Sequence, residues 1–338
     1  MTILKTNTVS GIGTEGTVFE GDITFDSLNY MTLPKGTTAQ SNRGRGLYGG
    51  GASDSSTQYT DIVYLNIQST GNTTQFGDLT VTNRTWIHGV GSATRAIWPG
   101  GSNPSGGSTT NVIDYVTIAT TGNATDFGDT LTTSGWTASH SNHTRGITAG
   151  GAPTQTNVIG YITVTSTGNA QDFGDLTTAR RGGGRMGSPT RFIIAGGFTP
   201  TATNVMDYVT IATTGNATDY GDLVTAGRHD SGGCSSGTRG VIAGGETPSD
   251  VNTIQYVTIA STGNAADFGD LQVVQGACGT LDNSIRGVFS GSYQNPTSHN
   301  TMSYITIATT GNGKDFGDIS PSKYAMGGTS DSHGGLSE

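Results

Sequence analysis

Pairs of aspartates that lie three residues apart recur along this sequence and are the first candidates for chemistry. The pairs are Asp126 and Asp129, Asp172 and Asp175, Asp219 and Asp222, Asp267 and Asp270, and Asp315 and Asp318. Two carboxylates and a nearby asparagine could bind Ca²⁺, but calcium takes about six to eight oxygen ligands and each pair supplies about three. We therefore expect these carboxylates to cap turns and receive arginine side chains, with no cofactor bound and calcium as a minor alternative.

An arginine also recurs at one position of the sequence, some 16 or 17 residues after an aspartate. The arginines are Arg95, Arg145, Arg191, Arg239 and Arg286, and the preceding aspartates are Asp78, Asp129, Asp175, Asp222 and Asp270. A guanidinium presents a planar fork of donors that matches a carboxylate. The equal spacing predicts a series of bidentate arginine–aspartate pairs within or between repeats. The alternative is a solvent-facing ring of arginines that is available to ligands.

Other residues with catalytic or metal-binding potential do not form a recognisable site. The six histidines share no position in the repeat, so a three-histidine zinc site is not implied. Cys234 and Cys278 belong to no Cys-x-x-Cys motif, and we expect them to fill tight strand positions. The recurring Asp-Phe-Gly lacks the other protein-kinase motifs, and no hydrolase nucleophile motif stands out. The sequence therefore favours a protein that is not an enzyme.

The elements that must position these residues are copies of an internal repeat. Thr-Gly-Asn occurs at 70–72, 121–123, 167–169, 214–216, 262–264 and 310–312. In each copy a tyrosine-centred segment precedes the triplet, and Phe-Gly-Asp or Tyr-Gly-Asp follows it. Apolar residues alternate as in strands, and no window shows a helical period. A unit of this size with four short strands is typical of a β-propeller blade, so we expect an all-β protein with six blades of four antiparallel strands.

The two ends of the repeat series predict how the ring closes. The first copy starts directly with the strand at Arg45, whereas a glycine-rich segment, 323–335, follows the last copy. Pairing this spare C-terminal strand with the first blade removes two open sheet edges. The closure gives six complete blades within residues 41–338. The alternative is a seven-bladed ring, in which residues 17–40 supply outer strands to the C-terminal one.

The parts of the repeat that vary most are the candidates for ligand recognition. The loop after each glycine doublet differs between copies, and recognition residues gather on loops carried by a rigid scaffold. The approaches to the glycine-rich strands also differ, and they contain the candidate contact residues Trp86, Trp136, His140, Arg181 and His229. The two tryptophans occupy corresponding stretches of successive copies, so we expect them to lie close together and offer indole faces to a ligand. The alternative is that these side chains fill the channel or pack between blades.

The charge and hydropathy of the chain limit its partners. There are 16 basic and 25 acidic residues, which give a net charge of -9 and a pI near 5.0. This balance opposes the positive footprint that neutralises nucleic-acid phosphates. No apolar run approaches the length that spans a bilayer, and residues 1–13 lack the basic and apolar regions of a secretory signal. We expect no nucleic-acid partner, no membrane insertion and no signal peptide.

The order of features within the unit resembles the kelch repeat. In kelch blades a glycine doublet follows the second strand, a tyrosine lies in the third and a tryptophan lies near the fourth. In one copy of this chain Gly196-Gly197, Tyr208 and Tyr220 would take these places, and in the last copy the doublet is Gly291-Ser292. The resemblance covers roughly residues 43–338 and implies a kelch-like β-propeller.

Two segments also resemble kelch-like virion proteins of tailed phages of aquatic bacteria. They are YVTIATTGNATDFGD at 115–129 and FEGDITFDSLNYMTLPKGTT at 19–38. This resemblance implies a virion protein made in the host cytoplasm, whose residues 1–40 attach the propeller to other virion proteins. It also implies a tail-fibre or adhesin role, in which the variable loops bind a host-surface glycan or protein. The alternative is capsid decoration, or a purely structural fibre component without a receptor.

Overall fold

Six four-stranded antiparallel sheets make up the described part of the chain in this computed structural model. The structure describes residues 44–82, 84–103, 107–224, 230–246, 248–294 and 297–336. The predicted leader at residues 1–40 lies outside the described residues. The outer strands of the seven-bladed alternative, residues 17–40, lie outside them as well. Within them, no helix has the length and apolar character needed to cross a membrane. The all-β prediction is confirmed; a short 3-10 helix spans Gly334–Leu336.

Each sheet forms one blade, with its first strand next to the ring axis and its fourth strand at the outer edge. The first strands are β4 (Val90–Gly91), β8 (Ala138–Ser141), β12 (Gly184–Gly187), β16 (Gly232–Ser235), β20 (Gly279–Asp282) and β24 (Gly327–Ser330). The second strands are β1 (Arg45–Gly49), β5 (Arg95–Ser102), β9 (Arg145–Ala149), β13 (Arg191–Ala195), β17 (Arg239–Ala243) and β21 (Arg286–Gln294).

The outer half of each blade follows the same pattern. The third strands are β2 (Asp61–Asn66), β6 (Thr109–Thr117), β10 (Thr156–Thr163), β14 (Val205–Thr210), β18 (Thr253–Thr258) and β22 (Thr297–Thr306). The fourth strands are β3 (Thr74–Asp78), β7 (Thr125–Asp129), β11 (Gln171–Arg180), β15 (Thr218–Asp222), β19 (Ala266–Asp270) and β23 (Lys314–Asp318). Blade 1 is β24-β1-β2-β3, and blades 2 to 6 follow in chain order from β4 to β23.

The ring closes by pairing the C-terminal strand with the N-terminal blade. Strand β24 runs antiparallel to β1, with Gly46 opposite Ser330 and Gly49 opposite Gly327. Asp331 strengthens this junction, because its carboxylate accepts a hydrogen bond of 2.7 Å from the Gly44 amide. The six-bladed ring and its closure by the C-terminal strand are therefore confirmed.

The antiparallel strands give the ring two chemically different faces. We call upper the face that carries the loops between second and third strands and the connections from each fourth strand to the next first strand. The lower face carries the other two sets of turns, which include the Thr-Gly-Asn triplets. The segments that vary between repeats consequently share the upper face.

The hydrophobic core is divided among the interfaces between neighbouring blades. A typical cluster joins Phe173 of blade 3 to Phe192 and Ile194 of blade 4, all of them buried. Glycines let the sheets approach closely, since a Cβ on Gly240 would lie 2.7 Å from the Cβ of Met186 in the preceding blade. Packing across blades stabilises the ring as a whole, because one blade cannot cover both of its own faces.

The glycine doublet at the upper end of the second strand, present in blades 1 to 5, is required by backbone geometry. In blade 1, Gly50 and Gly51 have φ of +69° and +101°, which side-chain-bearing residues rarely adopt. A Cβ on Gly50 would lie 2.0 Å from the Arg84 carbonyl oxygen, and the same oxygen accepts a hydrogen bond of 2.9 Å from the Gly51 amide. The doublet thus fastens the upper end of one blade to the connection that enters the next.

The Thr-Gly-Asn and Phe-Gly-Asp motifs hold neighbouring blades together at the outer rim. The Gly168 amide donates to the Phe127 carbonyl of the preceding blade over 2.7 Å, and the Asn169 Oδ1 atom accepts from the Asp129 amide over 3.0 Å. The same pair of bonds recurs at all six interfaces, including the one that closes the ring. In this clasp each aspartate contributes its backbone amide, not its carboxylate.

The predicted ion pairs between the repeated arginines and these aspartates are wrong. Each guanidinium instead lies over the tyrosine of its own blade, 4.4 to 5.0 Å from the ring centroid. It also donates to a carbonyl just after the third strand of the next blade. Arg191, for example, stacks on Tyr208, and its Nη1 atom donates to the Ile259 carbonyl over 2.9 Å. The repeated arginine is therefore a link between blades.

Strand register explains why the prediction failed. In blade 4, Arg191 lies opposite Thr210 at one end of β14, whereas Asp222 lies opposite Val205 at the other end. Regular spacing along the chain shows that two residue types recur together, but not at which end of the blade each one lies. The arginines begin the second strands, and the aspartates end the fourth strands except in blade 3, where β11 continues past Asp175 to Arg180, so the two rows are separated by the length of the blade.

Ion pairs do occur in the described residues, but they join other partners. They are Arg84–Asp114 (3.5 Å), Arg180–Asp207 (3.0 Å) and Lys323–Asp61 (3.0 Å). Arg84 and Lys323 lie in the connections that enter a blade from the upper face, Arg180 ends the strand β11 that precedes such a connection, and each aspartate lies on the third strand of the blade that is entered. Burial lowers the pKa of Arg84 to about 10, opposed by the Asp114 carboxylate, so this guanidinium stays charged at neutral pH.

Replacing Arg191 by alanine should lower the free energy of unfolding by about 2 kcal/mol. The variant loses the cation–π contact with Tyr208, worth about 0.5 to 1 kcal/mol, and leaves the Ile259 carbonyl without its charged donor, worth about 1 to 3 kcal/mol. Phe198→Ala, in the neighbouring variable loop, should cost less than about 1 kcal/mol because Phe198 is partly exposed. Chemical denaturation measures both. A larger cost for Phe198→Ala would show that the division into structural strands and variable loops is wrong.

Candidate ligand-binding site

A closed ring of backbone hydrogen bonds surrounds the axis where the chain enters the first strands from the upper face. Its members, one per blade, are Trp86, Trp136, Gly182, Asp230, Ala277 and Ala325. Each amide donates to the carbonyl of the preceding member over 2.7 to 2.9 Å, and Trp86 donates to Ala325. All six have φ between +54° and +64°, which is unfavourable for residues other than glycine. The ring therefore fixes the directions of these side chains around the upper mouth of the channel.

A continuous series of ring contacts, which we call the aromatic arc, follows this mouth from blade 6 to blade 4. Its members are Tyr293, Tyr324, Trp86, Trp136, Arg181 and Phe198. The two tyrosine rings are 4.6 Å apart, Tyr324 meets Trp86 edge to face at 5.9 Å, and the two indoles stack at 4.7 Å. The Arg181 guanidinium then lies 5.5 Å from the Trp136 ring and 5.1 Å from the Phe198 ring. The arc reaches five of the six blades.

The predicted closeness of Trp86 and Trp136 is confirmed, but the indoles do not form an open platform. Their planes are 18° apart, so each covers one face of the other. Trp136 is only 9% exposed, and Trp86 is partly buried. The two tryptophans thus pack between blades, as one alternative predicted, and they also line the mouth, where the other alternative placed a ligand. A ligand would meet the edge and the outer face of this stack.

Of the other predicted contact residues, Arg181 belongs to the arc and the two histidines do not. His140 is buried near the lower end of the channel, where its ring stacks on Phe192 at 5.7 Å. Burial lowers the pKa of His140 to about 4, so its imidazole is neutral at pH 7. His229 lies outside the described residues.

Sequence reasoning missed the two tyrosines of the arc. Tyr324 occupies the same repeat position as Arg181, one residue before the ring member of its blade. Aligning the copies on Gly182 and Ala325 therefore exposes Tyr324 as a candidate. Tyr293 carries no such signal, because it lies in the region after the doublet position, where the copies share no pattern.

A small cavity lies inside the backbone ring, next to the two tryptophans. Its lining includes Trp86, Ile87, His88, Ser231 and Met326. Two polar atoms of this lining, Trp86 Nε1 and Ser231 Oγ, are buried and have no hydrogen-bond partner among the described residues. Buried polar groups are normally hydrogen-bonded. An acceptor group that enters the cavity would therefore find an unsatisfied donor.

One arginine fills the middle of the channel. Arg185 shares a layer of the axis with its equivalents in the other blades, which are Gly89, Ser139, Gly233, Thr280 and Gly328. Its guanidinium donates to the carbonyls of Gly89 (2.8 Å), Thr280 (3.0 Å) and Gly328 (2.6 Å). The small residues at the other five positions leave room for the long side chain. Arg185 thus links blade 4 to blades 2, 6 and 1.

The C-terminal turn closes the lower end of the channel. His333 Nε2 lies 3.2 Å from both the Ser141 hydroxyl and the Gly91 carbonyl oxygen. The partly buried Asp282 carboxylate accepts a hydrogen bond of 2.5 Å from the Ser235 amide, and its desolvation raises its pKa to about 6. These polar groups are engaged within the protein. The candidate ligand site is therefore the upper mouth.

Comparisons with known proteins leave function to be inferred from this site. No protein-family model matches the chain, and no curated protein matches it either. Within the described ranges, no three histidine, cysteine, aspartate or glutamate side chains come together as a metal site would require. The upper mouth combines aromatic rings, a guanidinium and unsatisfied donors, an arrangement suited to binding.

Proposed function

We propose that this protein is a non-enzymatic binding module of a phage virion, part of a tail fibre or adhesin. Its upper face binds a glycan or protein on the host surface. The observation that carries the proposal is the aromatic arc. Tryptophan, tyrosine and arginine are the residues most enriched in binding hot spots, and the arc gathers all three at one mouth. Aromatic rings also offer an apolar face with little conformational freedom to lose on binding.

The arc breaks the repetition of the molecule, and this supports a role in recognition. At the outer rim and in the arginine links at the lower face the same residues recur in every blade, because they hold the ring together. At the backbone ring of the upper mouth the six positions hold two tryptophans, two alanines, a glycine and an aspartate. Side chains that differ from blade to blade serve no common structural requirement, and recognition residues gather on such positions of a rigid scaffold.

In this proposal, residues 1–40 join the propeller to other virion proteins. Many copies on one particle would then raise weak individual contacts to a useful overall affinity. A single mouth per propeller is sufficient for such multivalent attachment.

Replacing Trp86 by alanine should weaken attachment to host cells by at least about tenfold, because a hot-spot aromatic residue contributes about 2 kcal/mol or more. Trp86 is the better target because Trp136 is nearly buried, and Trp136→Ala should cost roughly 3 to 5 kcal/mol of stability. Binding of labelled protein to host cells measures the effect, with circular dichroism to give the folded fraction.

Trp98→Phe is the matched control for folding. Trp98 is fully buried, and its Nε1 atom donates to the Gly327 carbonyl over 2.8 Å, outside the arc. This variant should melt at a lower temperature while its folded fraction attaches normally. If Trp86→Ala attaches as well as the wild type, the arc is not the binding site. If the wild type binds neither host cells nor host glycans, the adhesin proposal fails and capsid decoration is favoured.

A further inference from the structure

Arg181 differs from every other arginine that the structure describes. The other nine donate hydrogen bonds to backbone carbonyls: Arg45, Arg84, Arg95, Arg145, Arg180, Arg185, Arg191, Arg239 and Arg286. Arg181 has no hydrogen-bond acceptor among the described residues, and its guanidinium lies against the rings of Trp136 and Phe198. In a chain of net charge -9, this side chain is a partly exposed cation with all its donors available.

The position of this guanidinium is fixed by its surroundings. The Arg181 and Phe198 backbones pair with each other through hydrogen bonds of 3.1 and 2.7 Å. The Phe198 ring and the Trp136 ring then restrict the side chain. A side chain held in this way loses little conformational freedom when it binds a ligand. The fork of donors is therefore preorganised at the mouth.

The adjoining cavity supplies a second, independent sign of a polar ligand. Trp86 Nε1 and Ser231 Oγ line it without a hydrogen-bond partner among the described residues. Trp86 stacks on Trp136, the ring that also supports Arg181. A free cation and unpaired donors thus lie along one short stretch of the arc. A ligand that satisfies both must carry an anionic group and neutral oxygen acceptors around an apolar ring face.

We propose that the aromatic arc binds a sugar that carries a carboxylate, as in an acidic surface polysaccharide. Two N–H groups of Arg181 donate to the two carboxylate oxygens, since a planar fork matches a carboxylate better than it matches a neutral hydroxyl. The sugar ring packs against the tryptophan stack, and a sugar oxygen accepts from the cavity donors. This inference rests on the proposed glycan-binding function and narrows it to a class of sugar.

The test uses the full chain and a panel of immobilised oligosaccharides. The panel contains glucuronic, galacturonic and sialic acid oligomers, their methyl esters, sulfated oligomers and neutral oligomers. We expect binding to at least one carboxylated member and at least about tenfold weaker binding to its methyl ester, because the charged hydrogen bonds are lost. Arg181→Gln should cause a loss of similar size, with an unchanged melting temperature. Raising the salt concentration should weaken wild-type binding and leave the residual binding of Arg181→Gln unchanged.

Two further variants make the charge argument specific. Lys314→Gln removes the same charge from an exposed position at the start of β23 and should bind like the wild type. Asp230→Asn removes an acidic group from the backbone ring at the mouth and should strengthen binding of the carboxylated sugar. Weakened binding by Asp230→Asn would indicate a cationic ligand and would overturn the inference.

The remaining outcomes separate this inference from the function on which it rests. Binding confined to neutral or sulfated oligosaccharides, or unaffected by Arg181→Gln, overturns the carboxylate assignment and leaves glycan binding intact. Attachment to host cells with no binding to any glycan points to a protein receptor and overturns the assignment as well. Failure to bind both cells and glycans removes the proposed function itself.

Discussion

A chain that stops at Ser320 should fail to fold cooperatively. Residues 321–336 supply β24, which completes blade 1, and Ala325, which joins two neighbours in the backbone ring of the upper mouth. Lys323 is lost as well, which leaves the Asp61 carboxylate without its ion-pair partner. In the truncated chain the edge of β1 is unpaired, and the backbone ring of the upper mouth is interrupted between Ala277 of blade 6 and Trp86 of blade 2. Domain stability is only about 5 to 15 kcal/mol, so losing one closing strand exceeds what the remaining contacts can support.

Thermal and urea unfolding, followed by circular dichroism and tryptophan fluorescence, test this expectation. The truncated chain should show broad transitions that differ between probes, and light scattering should reveal association through the open β1 edge. A chain that ends at Leu336 retains every described contact and should unfold like the full chain. Adding a peptide of residues 321–336 should restore cooperativity. A truncated monomer with an unchanged midpoint would contradict closure by the C-terminal strand.

The architecture could be predicted from the sequence because the same contact is repeated at every interface. Thr-Gly-Asn and Phe-Gly-Asp recur together because the Thr-Gly-Asn triplet of each blade forms hydrogen bonds with the Phe-Gly-Asp or Tyr-Gly-Asp triplet of the preceding blade. The spare glycine-rich segment at 323–335 predicted the closing strand for a related reason: sheet edges in a closed ring must be paired. Both inferences depend on local sequence patterns that can be compared from one copy to the next.

Contacts that depend on where a residue lies between the lower and the upper face of the ring could not be predicted in this way. The arginine partners were assigned wrongly because sequence spacing does not reveal that Arg191 and Asp222 lie at opposite ends of their blade. The closeness of Trp86 and Trp136 followed from their equivalent positions, whereas their face-to-face stacking and the burial of Trp136 did not. Burial depends on which side chains of neighbouring blades meet at the mouth, and those in contact with the Trp136 ring are Trp86 and Arg181, which lie about 50 residues before it and 45 residues after it.

The role of Arg185 is visible only when the first strands of all six blades are placed side by side. In the sequence it is one basic residue in a glycine-rich run. In the ring, the five positions equivalent to Arg185 hold small residues. Its guanidinium donates hydrogen bonds to backbone carbonyls that line the narrow axis, in the place of water molecules. A sixfold arginine layer could not fit, because six cations would repel one another in the same space.

Arg185→Met should lower the free energy of unfolding by at least about 3 kcal/mol. Methionine occupies similar space but donates no hydrogen bond, so the carbonyls of Gly89, Thr280 and Gly328 lose their donor in the closed channel. Each buried acceptor left unpaired costs about 1 to 3 kcal/mol, and removing a buried charge offsets part of the sum. The melting temperature should fall by roughly 5 to 10 °C.

Arg185→Lys distinguishes the loss of charge from the loss of geometry. Lysine keeps the positive charge, but its compact ammonium cannot reach carbonyls on opposite sides of the axis as a guanidinium does, so its stability should lie between those of the wild type and Arg185→Met. Attachment of the folded fraction should be unchanged in both variants, because Arg185 is not part of the aromatic arc. An unchanged or raised melting temperature for Arg185→Met would show that the apolar interfaces alone hold the ring and that the guanidinium contributes no net stability.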